Sequence, residues 1–264
     1  REHSLEYFGH GTFHLPYSTS LRMGDMGYQS DVQSSINIAL DDVDQYCQSL
    51  LYATQTIYPE YEALGIRMGN EYQQLNANLL QIENEYYAPV RPKRVARSGE
   101  KPTTALLERG VEYIEIRSID LNPFIPSGID ESGIKFLELL LIGCLFKESP
   151  SLTPHEMHQL RSVQSEIVRN GRNTSMNIPF NGSKSSIKDA GNDLVTELRP
   201  IAQLLEKSGE HGYQIALDLQ MEKFENPLCT RKFRQQGKLF IWKIPSAHAN
   251  LARGQICLFQ NKLI

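Results

Sequence analysis

Apolar residues recur at helical spacing over much of this chain and at strand spacing in only a few short stretches. From Asp41 to Gln55 the positions Val43, Tyr46, Cys47, Leu50, Leu51 and Thr54 follow the three-and-four rhythm of an amphipathic helix, and Pro59 opens a second, shorter helix that Gly65 ends. Met68-Gly69-Asn70 reads as a turn. After the turn and cap signals of Ser127-Gly128-Ile129-Asp130, the stripe Ile134, Leu137, Leu140, Leu141, Cys144 and Leu145 predicts a well-buried helix. Helices are also expected over residues 153–169, 186–207 and 210–224, with the Asn/Gly/Ser-rich segment from Asn170 to Ser186 as a connection.

The strongest strand signal is Val111 to Phe124, VEYIEIRSIDLNPF. It reads as a buried strand that nevertheless carries charge. Strand parity puts Val111, Tyr113, Glu115 and Arg117 on one face and sends Ile114 and Ile116 into apolar packing on the other. Glu115 and Arg117 are then same-face neighbours roughly 7 Å apart, close enough for one ion or phosphate to touch both. An ordinary solvated strand face is the competing reading. The strand runs into the proline-rich exit Asp120 to Pro126, the kind of loop on which sites are commonly built. In Gln81 to Arg94 the same parity aligns Tyr87, Pro89, Arg91 and Lys93, and Pro89 and Pro92 make this an edge or irregular strand. Arg91, Lys93, Arg94 and Arg97 read as a local basic patch, either solvated or attracting anionic substrates. The opening block, residues 3–28, mixes aromatic, Gly and Pro residues and suggests a short strand followed by a loop. His10 and His14 within it lack a helix and a third ligand, so they are not expected to bind metal.

Composition narrows the class. With 264 residues, 40% hydrophobic and 22% charged, the chain can build a sizeable core. Long helices with alternating strands indicate an α+β fold. Cys47, Cys144, Cys229 and Cys257 stand far apart, which predicts structural thiols in a reducing, cytoplasmic setting and neither a disulfide framework nor a zinc site. The longest apolar run, Leu137 to Phe146, is interrupted by Glu138 and is too short to span a bilayer, so no membrane association is expected. Residues 226–264 hold seven Lys/Arg and no Asp/Glu, leaving 20 Lys/Arg against 31 Asp/Glu in the remainder. The acidic body argues against a nucleic-acid partner in spite of that basic tail. No GxxxxGK or GxGxxG loop is present, so a nucleotide would have to be held by other means.

Three blocks, LPYSTSLRMGDMGY at 15–28, QIENEYYAPVRPKR at 81–94 and EYIEIRSIDLNPF at 112–124, closely resemble the bacterial glutamate–cysteine ligase family in its gammaproteobacterial branch. The resemblance covers roughly residues 5–225 and corresponds to the second half of the family's chain. It implies a glutamine-synthetase-like antiparallel sheet with packed helices. The implied reaction joins the γ-carboxylate of glutamate to the amine of cysteine through γ-glutamyl phosphate, with ATP as co-substrate and Mg2+, or Mn2+ in its place, as cofactor. By the same resemblance Arg22 holds a substrate carboxylate, Tyr28 and Tyr87 line the cysteine pocket, Glu115 is a metal ligand, and Arg117 is the catalytic residue that neutralises the moving phosphoryl group. These residue types suit those tasks, since Arg forks onto carboxylates and phosphates and an aromatic wall suits a thiol. The resemblance further implies a monomer when full length, acting on small molecules only. The family's remaining acidic ligands have no counterpart here, so the alternative is an inactive fragment or pseudogene product. The start at Arg1 suggests a missing N-terminal segment, and the tail from residue 226, past the FENP at 224–227, suggests a shifted frame or truncated gene.

Overall fold

A computed structural model describes residues 6–9, 12–24, 27, 31–34, 36–122, 125–180, 182–227 and 242–243. The chain forms two compact units, one made of Arg1–Gly24, Leu121–Lys147 and Ser162–Ile264, the other of Asp25–Asp120 and Glu148–Arg161. Helices predominate and the sheets are small and antiparallel.

The second unit begins with the short helix α1 (Asp31–Ser34) and the longer α2 (Val43–Gln55). Asp42 caps α2 by accepting a 2.7 Å hydrogen bond from the Gln45 backbone N–H, which satisfies a donor that the helix itself leaves unpaired. Its Tyr46, Cys47 and Leu50 are buried as the periodicity predicts, with Ala53 beside them where Leu51 and Thr54 were expected, and they join Ile36, Ile38, Leu80, Ala88 and Leu106 in one core. Each fully buried aliphatic side chain of this kind contributes about 1.5–3 kcal/mol. Helix α3 (Pro59–Leu64) starts on its proline and stops at Gly65, whose φ of 74° suits a residue without Cβ. A hairpin of β3 (Arg67–Met68) and β4 (Glu71–Tyr72) turns at Gly69 as expected. Then come β5 (Val90–Lys93), α4 (Pro102–Arg109) and β6 (Tyr113–Ile116). Strands β5 and β6 pair antiparallel as a two-stranded ribbon, with Val90 opposite Ile116, Arg91 opposite Glu115, Pro92 opposite Ile114 and Lys93 opposite Tyr113.

The ribbon corrects the expectation of a long buried strand. β6 has four residues, and Tyr113 and Ile114 are 48% and 41% exposed. Ile114 on the apolar side and Tyr113 on the charged side are both exposed, while Arg91 on the charged side is 5% exposed. Parity was right, but the apolar side is not the one that is packed away. Hydrophobicity alone cannot say which face meets the core when that face carries charges that compensate one another.

In the first unit β1 (Glu6–Gly9) and β2 (Thr12–His14) pair antiparallel, and the backbone of β9 (Trp242–Lys243) pairs with Thr12 and Phe13. The opening block therefore makes a two-stranded hairpin where a single strand was expected. His14 lies 3.8 Å from Glu6, and His10 lies outside the described residues. Helix α5 (Glu131–Leu145) is capped by Asp130, as its sequence signals, but its buried stripe is not the predicted one. Leu139 and Gly143 are buried with Phe136 packed beside them, whereas Ile134 is exposed and Leu145 is 83% exposed. A helix that is apolar nearly all round gives little phase information, so sequence alone does not select the stripe. Gly143 resolves it. A Cβ there would stand 2.5 Å from Leu198 Cδ2, so the backbone of α5 can approach α7 (Ile187–Lys207) closely on that face alone.

Helix α6 (Pro154–Asn170) precedes α7, and α8 (Tyr213–Glu225) closes this helical group, with Val195, Leu198, Ala202, Tyr213 and Leu217 in its core. These helices match the expected spans to within three residues. The polar segment from Asn170 to Ser186 is more than a connection: β7 (Asn177–Phe180) and β8 (Ser183–Ser186) form a hairpin inside it, with Met176 and Ile178 buried against Ala190. Among the thiols, Cys47 is buried, which pushes its pKa up to about 11, while Cys144 is exposed and so departs from the structural role expected of it. Cys229 and Cys257 lie outside the described residues. Among the described residues no helix is long and apolar enough to cross a membrane.

Candidate active site

The candidate site is built on the β5–β6 ribbon of the second unit. Antiparallel pairing sets Arg91 directly across from Glu115, and strand parity adds Lys93 and Arg117 to the same side. Their charged groups converge. Glu115 Oε2 lies 4.0 Å from Arg91 Nη1 and 3.8 Å from Lys93 Nζ, and Oε1 lies 3.7 Å from Arg117 Nε. All three separations exceed hydrogen-bonding length, and both Glu115 Oε2 and Arg91 Nε are buried without a hydrogen-bond partner. Burial, then repulsion from Arg91, holds the Lys93 ammonium below the usual lysine range; Glu115 acts in the opposite sense and Arg117 adds to the lowering. Burial raises the Tyr46 hydroxyl above the ordinary tyrosine range, partly offset by the neighbouring Arg91.

Tyr87 sits at the entry to the ribbon. The Arg117 guanidinium carbon lies 4.9 Å from the centre of its ring, a cation–π contact, and its hydroxyl donates to the Arg117 carbonyl at 3.4 Å. Its backbone N–H donates to Gln33 Oε1 at 2.9 Å, while Gln33 Nε2 donates to the Glu85 carbonyl at 2.8 Å, so a side chain from α1 fixes the loop that carries the ring. The Arg117 backbone N–H in turn bonds the Pro89 carbonyl at 2.7 Å, which extends the ribbon's pairing beyond β6.

Next to the ribbon lies a cavity of about 220 Å3, walled by Arg91, Lys93, Arg94 and Tyr113 from the ribbon side and by Tyr46, Leu50, Thr103 and Leu106 from α2 and α4. Glu83, also on the wall and buried, accepts hydrogen bonds from Thr103 N at 2.9 Å and Thr103 Oγ1 at 2.8 Å. It therefore serves the N-terminus of α4, where unpaired N–H groups favour a carboxylate.

Of the residues singled out by sequence, Tyr87, Glu115 and Arg117 stand together. Arg22 is exposed on a turn of the other compact unit, and Tyr28 lies outside the described residues. The basic patch divides. Arg91 and Lys93 turn to Glu115, whereas Arg94 Nε donates to the Gly110 carbonyl at 2.8 Å and covers the C-terminal end of α4, where a cation complements the helix dipole. Gln33 carried no signal in the sequence and Tyr46 only that of a core position, because their roles here arise from pairings between distant segments.

The metal expectation can be weighed on the same geometry. A buried carboxylate oxygen without a partner fits one position in a metal's coordination shell. Mg2+ requires about six oxygen ligands, and among the described residues no group of three His, Cys, Asp or Glu stands ready to hold a metal. These residues fit a single contributed ligand and no more.

A family model for glutamate–cysteine ligase matches residues 1–167. The chain belongs to the glutamate–cysteine ligase family. It is 46% identical over 237 residues to the glutamate–cysteine ligase of Alcanivorax borkumensis, covering 87% of this chain and 45% of that one. With the Saccharophagus degradans ligase it shares 40% identity over 259 residues, 97% of this chain and 49% of the relative. The crystal structure of the Francisella tularensis glutamate–cysteine ligase in complex with AMP superposes with a TM-score of 0.76 at 30% identity, over 89% of this chain and 49% of that one. The chain thus spans about half the length of these relatives. Its small antiparallel sheets and packed helices are a portion of the family's glutamine-synthetase-like α+β fold.

Proposed function

We propose that this chain supplies the amino-acid and phosphoryl-transfer side of an ATP-dependent ligase that couples the γ-carboxylate of glutamate to the amine of cysteine, the first step of glutathione synthesis. What supports the reading, beyond family membership, is the convergence of Glu115, Arg117 and Tyr87 on one ribbon. A carboxylate is a poor acyl donor. Its oxygen first attacks the terminal phosphorus of ATP, releasing ADP and leaving γ-glutamyl phosphate; the cysteine amine then attacks the acyl carbon, phosphate departs and the amine loses a proton.

In this reading Arg117 faces the moving phosphoryl group and offsets the charge that develops on it. Tyr87, whose ring Arg117 already holds, forms one wall for the cysteine side chain, with Tyr28 as the other, and Arg22 pairs with a substrate carboxylate. Glu115 contributes one ligand to Mg2+ or Mn2+, and the other ligands come from outside the described residues. When bound, such an ion would neutralise phosphate charge. The enzyme works in the cytoplasm as a monomer on small molecules. Residues 1–225 carry this role and residues 226–264 stand apart by charge, although the S. degradans alignment, at 97% of the chain, runs on into them.

The test is a chimera in which this chain replaces the matching segment of the A. borkumensis ligase. It is expected to form γ-glutamylcysteine with equal release of ADP. In that setting Glu115→Gln lowers turnover on the order of 10²- to 10³-fold, the usual effect of losing one transition-state contact. A folded chimera without activity overturns the proposal, and near-normal turnover of Glu115→Gln at low Mg2+ removes Glu115 from the metal.

A further inference from the structure

Arg91 and Lys93 both turn to a single oxygen of Glu115, Oε2, at 4.0 and 3.8 Å, and neither reaches it within hydrogen-bonding distance. Arg91 is the more enclosed of the two, and its Nε has no hydrogen-bond partner. Enclosed cations whose donors their counter-charge does not meet are matched by an anion rich in acceptors.

Both residues also wall the adjoining cavity. Among the described wall residues the one acid is Glu83, whose two carboxylate oxygens already accept from Thr103. The cavity's volume, about 220 Å3, decides the size of guest. Pockets for whole drug-sized ligands run to roughly 300–1,000 Å3, and this smaller one is ample for a phosphate group. Arg offers a planar fork that meets two oxygens of one phosphate, and Lys adds a compact point charge.

We propose that Arg91 and Lys93 form a phosphate subsite, receiving a terminal phosphate group in the cavity beside Glu115. This deepens the ligase reading and rests on it for where the phosphate comes from: the polyphosphate tail of ATP, or the inorganic phosphate released when the amide forms. The two residues are binding groups for the oxyanion, distinct from Arg117 on the moving phosphoryl group.

The experiment uses the full 264-residue chain and two probes, ATP and inorganic phosphate, titrated by calorimetry and by 31P line width. Lys93→Met removes the charge and keeps much of the stem, Lys93→Gln is a second neutral variant should the first unfold, and Lys93→Arg retains the charge. Thermal unfolding verifies that each variant is folded. Both neutral variants are expected to weaken phosphate on the order of tenfold to a hundredfold, the range for one charge-assisted hydrogen bond, while Lys93→Arg stays within a few fold. A parallel loss for ATP assigns the subsite to the nucleotide tail; a loss confined to inorganic phosphate assigns it to the released product. Saturable binding unchanged in both neutral variants overturns the proposal, as does the absence of saturable binding of either probe to the parent chain. Failure of the ligase reading would look different: an inactive chimera alongside Lys93-dependent phosphate binding.

Discussion

Replacing Glu115 by Gln tests the ribbon before any chemistry is measured. Among the described residues Glu115 is the carboxylate that Arg91, Lys93 and Arg117 share, so Gln keeps the shape and removes a charge that all three face. A pair of unit charges at 4 Å is worth about 4 kcal/mol at an effective dielectric of 20, whereas exposed pairs measure about 0–1 kcal/mol. Breaking a fully buried pair costs about 3–5 kcal/mol. Glu115 falls between these cases, with a side chain 36% exposed, three partners beyond hydrogen-bonding distance, and one of them, Arg91, almost wholly buried. Solvent screening discounts the Coulomb figure heavily, and the expected loss is about 1–3 kcal/mol.

The assay is urea unfolding followed by fluorescence and circular dichroism. With a slope of about 2–3 kcal/mol per molar urea, the midpoint should fall by roughly 0.5–1 M. The decisive variant is the double one. Lys93→Met removes one of the three mutually repelling cations, so Glu115→Gln/Lys93→Met should recover a large part of the lost midpoint, while Lys93→Met alone stays near the parent because it gives up an attraction and a repulsion together. A double-mutant cycle reports that coupling directly. Glu115→Gln as stable as the parent, or effects that simply add, would mean the four charges do not interact in solution and would remove the electrostatic basis of the site.

Two further outcomes follow from the same geometry. In the active chimera, Tyr87→Ala, and Tyr28→Ala in parallel, should raise the KM for cysteine and leave that for ATP little changed; equal rises for both substrates would assign these rings to folding. The Glu100 carboxylate, paired through both oxygens with Arg109 at 2.7 Å, is held down to about 2 by those hydrogen bonds, by the Arg97 N–H and by the charge of Arg109. Since its folded pKa lies below the unfolded value of about 4.3, its contribution is fully present above that pH and disappears as pH falls toward 2. Urea midpoints of the parent and Glu100→Gln should therefore differ at pH 6 and converge toward pH 2, and a difference independent of pH would exclude the ion pair as its source.

Much of this was legible in the sequence, and the exceptions share a cause. The capping Asp130, the stop at Gly65, the turn at Gly69 and the helices α6, α7 and α8 are local features, set by backbone preference and by periodicity within a dozen residues. Glu115 and Arg117 could likewise be placed on one face from parity alone. The β7–β8 hairpin was missed because Asn, Ser and Lys dominate its residues, and two of its buried positions, Met176 and Ile178, are recognisable only from the partner Ala190. The choice between two apolar stripes on α5 depended on where α7 comes close. Arg91 became a site residue through the register that sets it opposite Glu115, and register between strands about 20 residues apart is information that neither strand carries by itself.

That register also accounts for the enclosure of Arg91 on the charged side of the ribbon. A strand pair usually turns its apolar side inward because burying charge is costly unless each charge meets a partner. Here the charged side can be enclosed because Arg91, Lys93 and Arg117 share one carboxylate, yet none of the three reaches hydrogen-bonding distance of it. Optimising stability alone would favour a tighter bidentate pair, such as Arg109 makes with Glu100 elsewhere in the same unit. Looser, crowded charge beside a cavity is what a site needs if a phosphate or a metal is to compete for the same groups, since a tightly closed pair would have to be broken first. The contrast between Glu100 and Glu115 within one unit is thus between a closed ion pair and a looser one, as the proposed ligand site requires, and the Glu115→Gln/Lys93→Met cycle measures how far that difference extends.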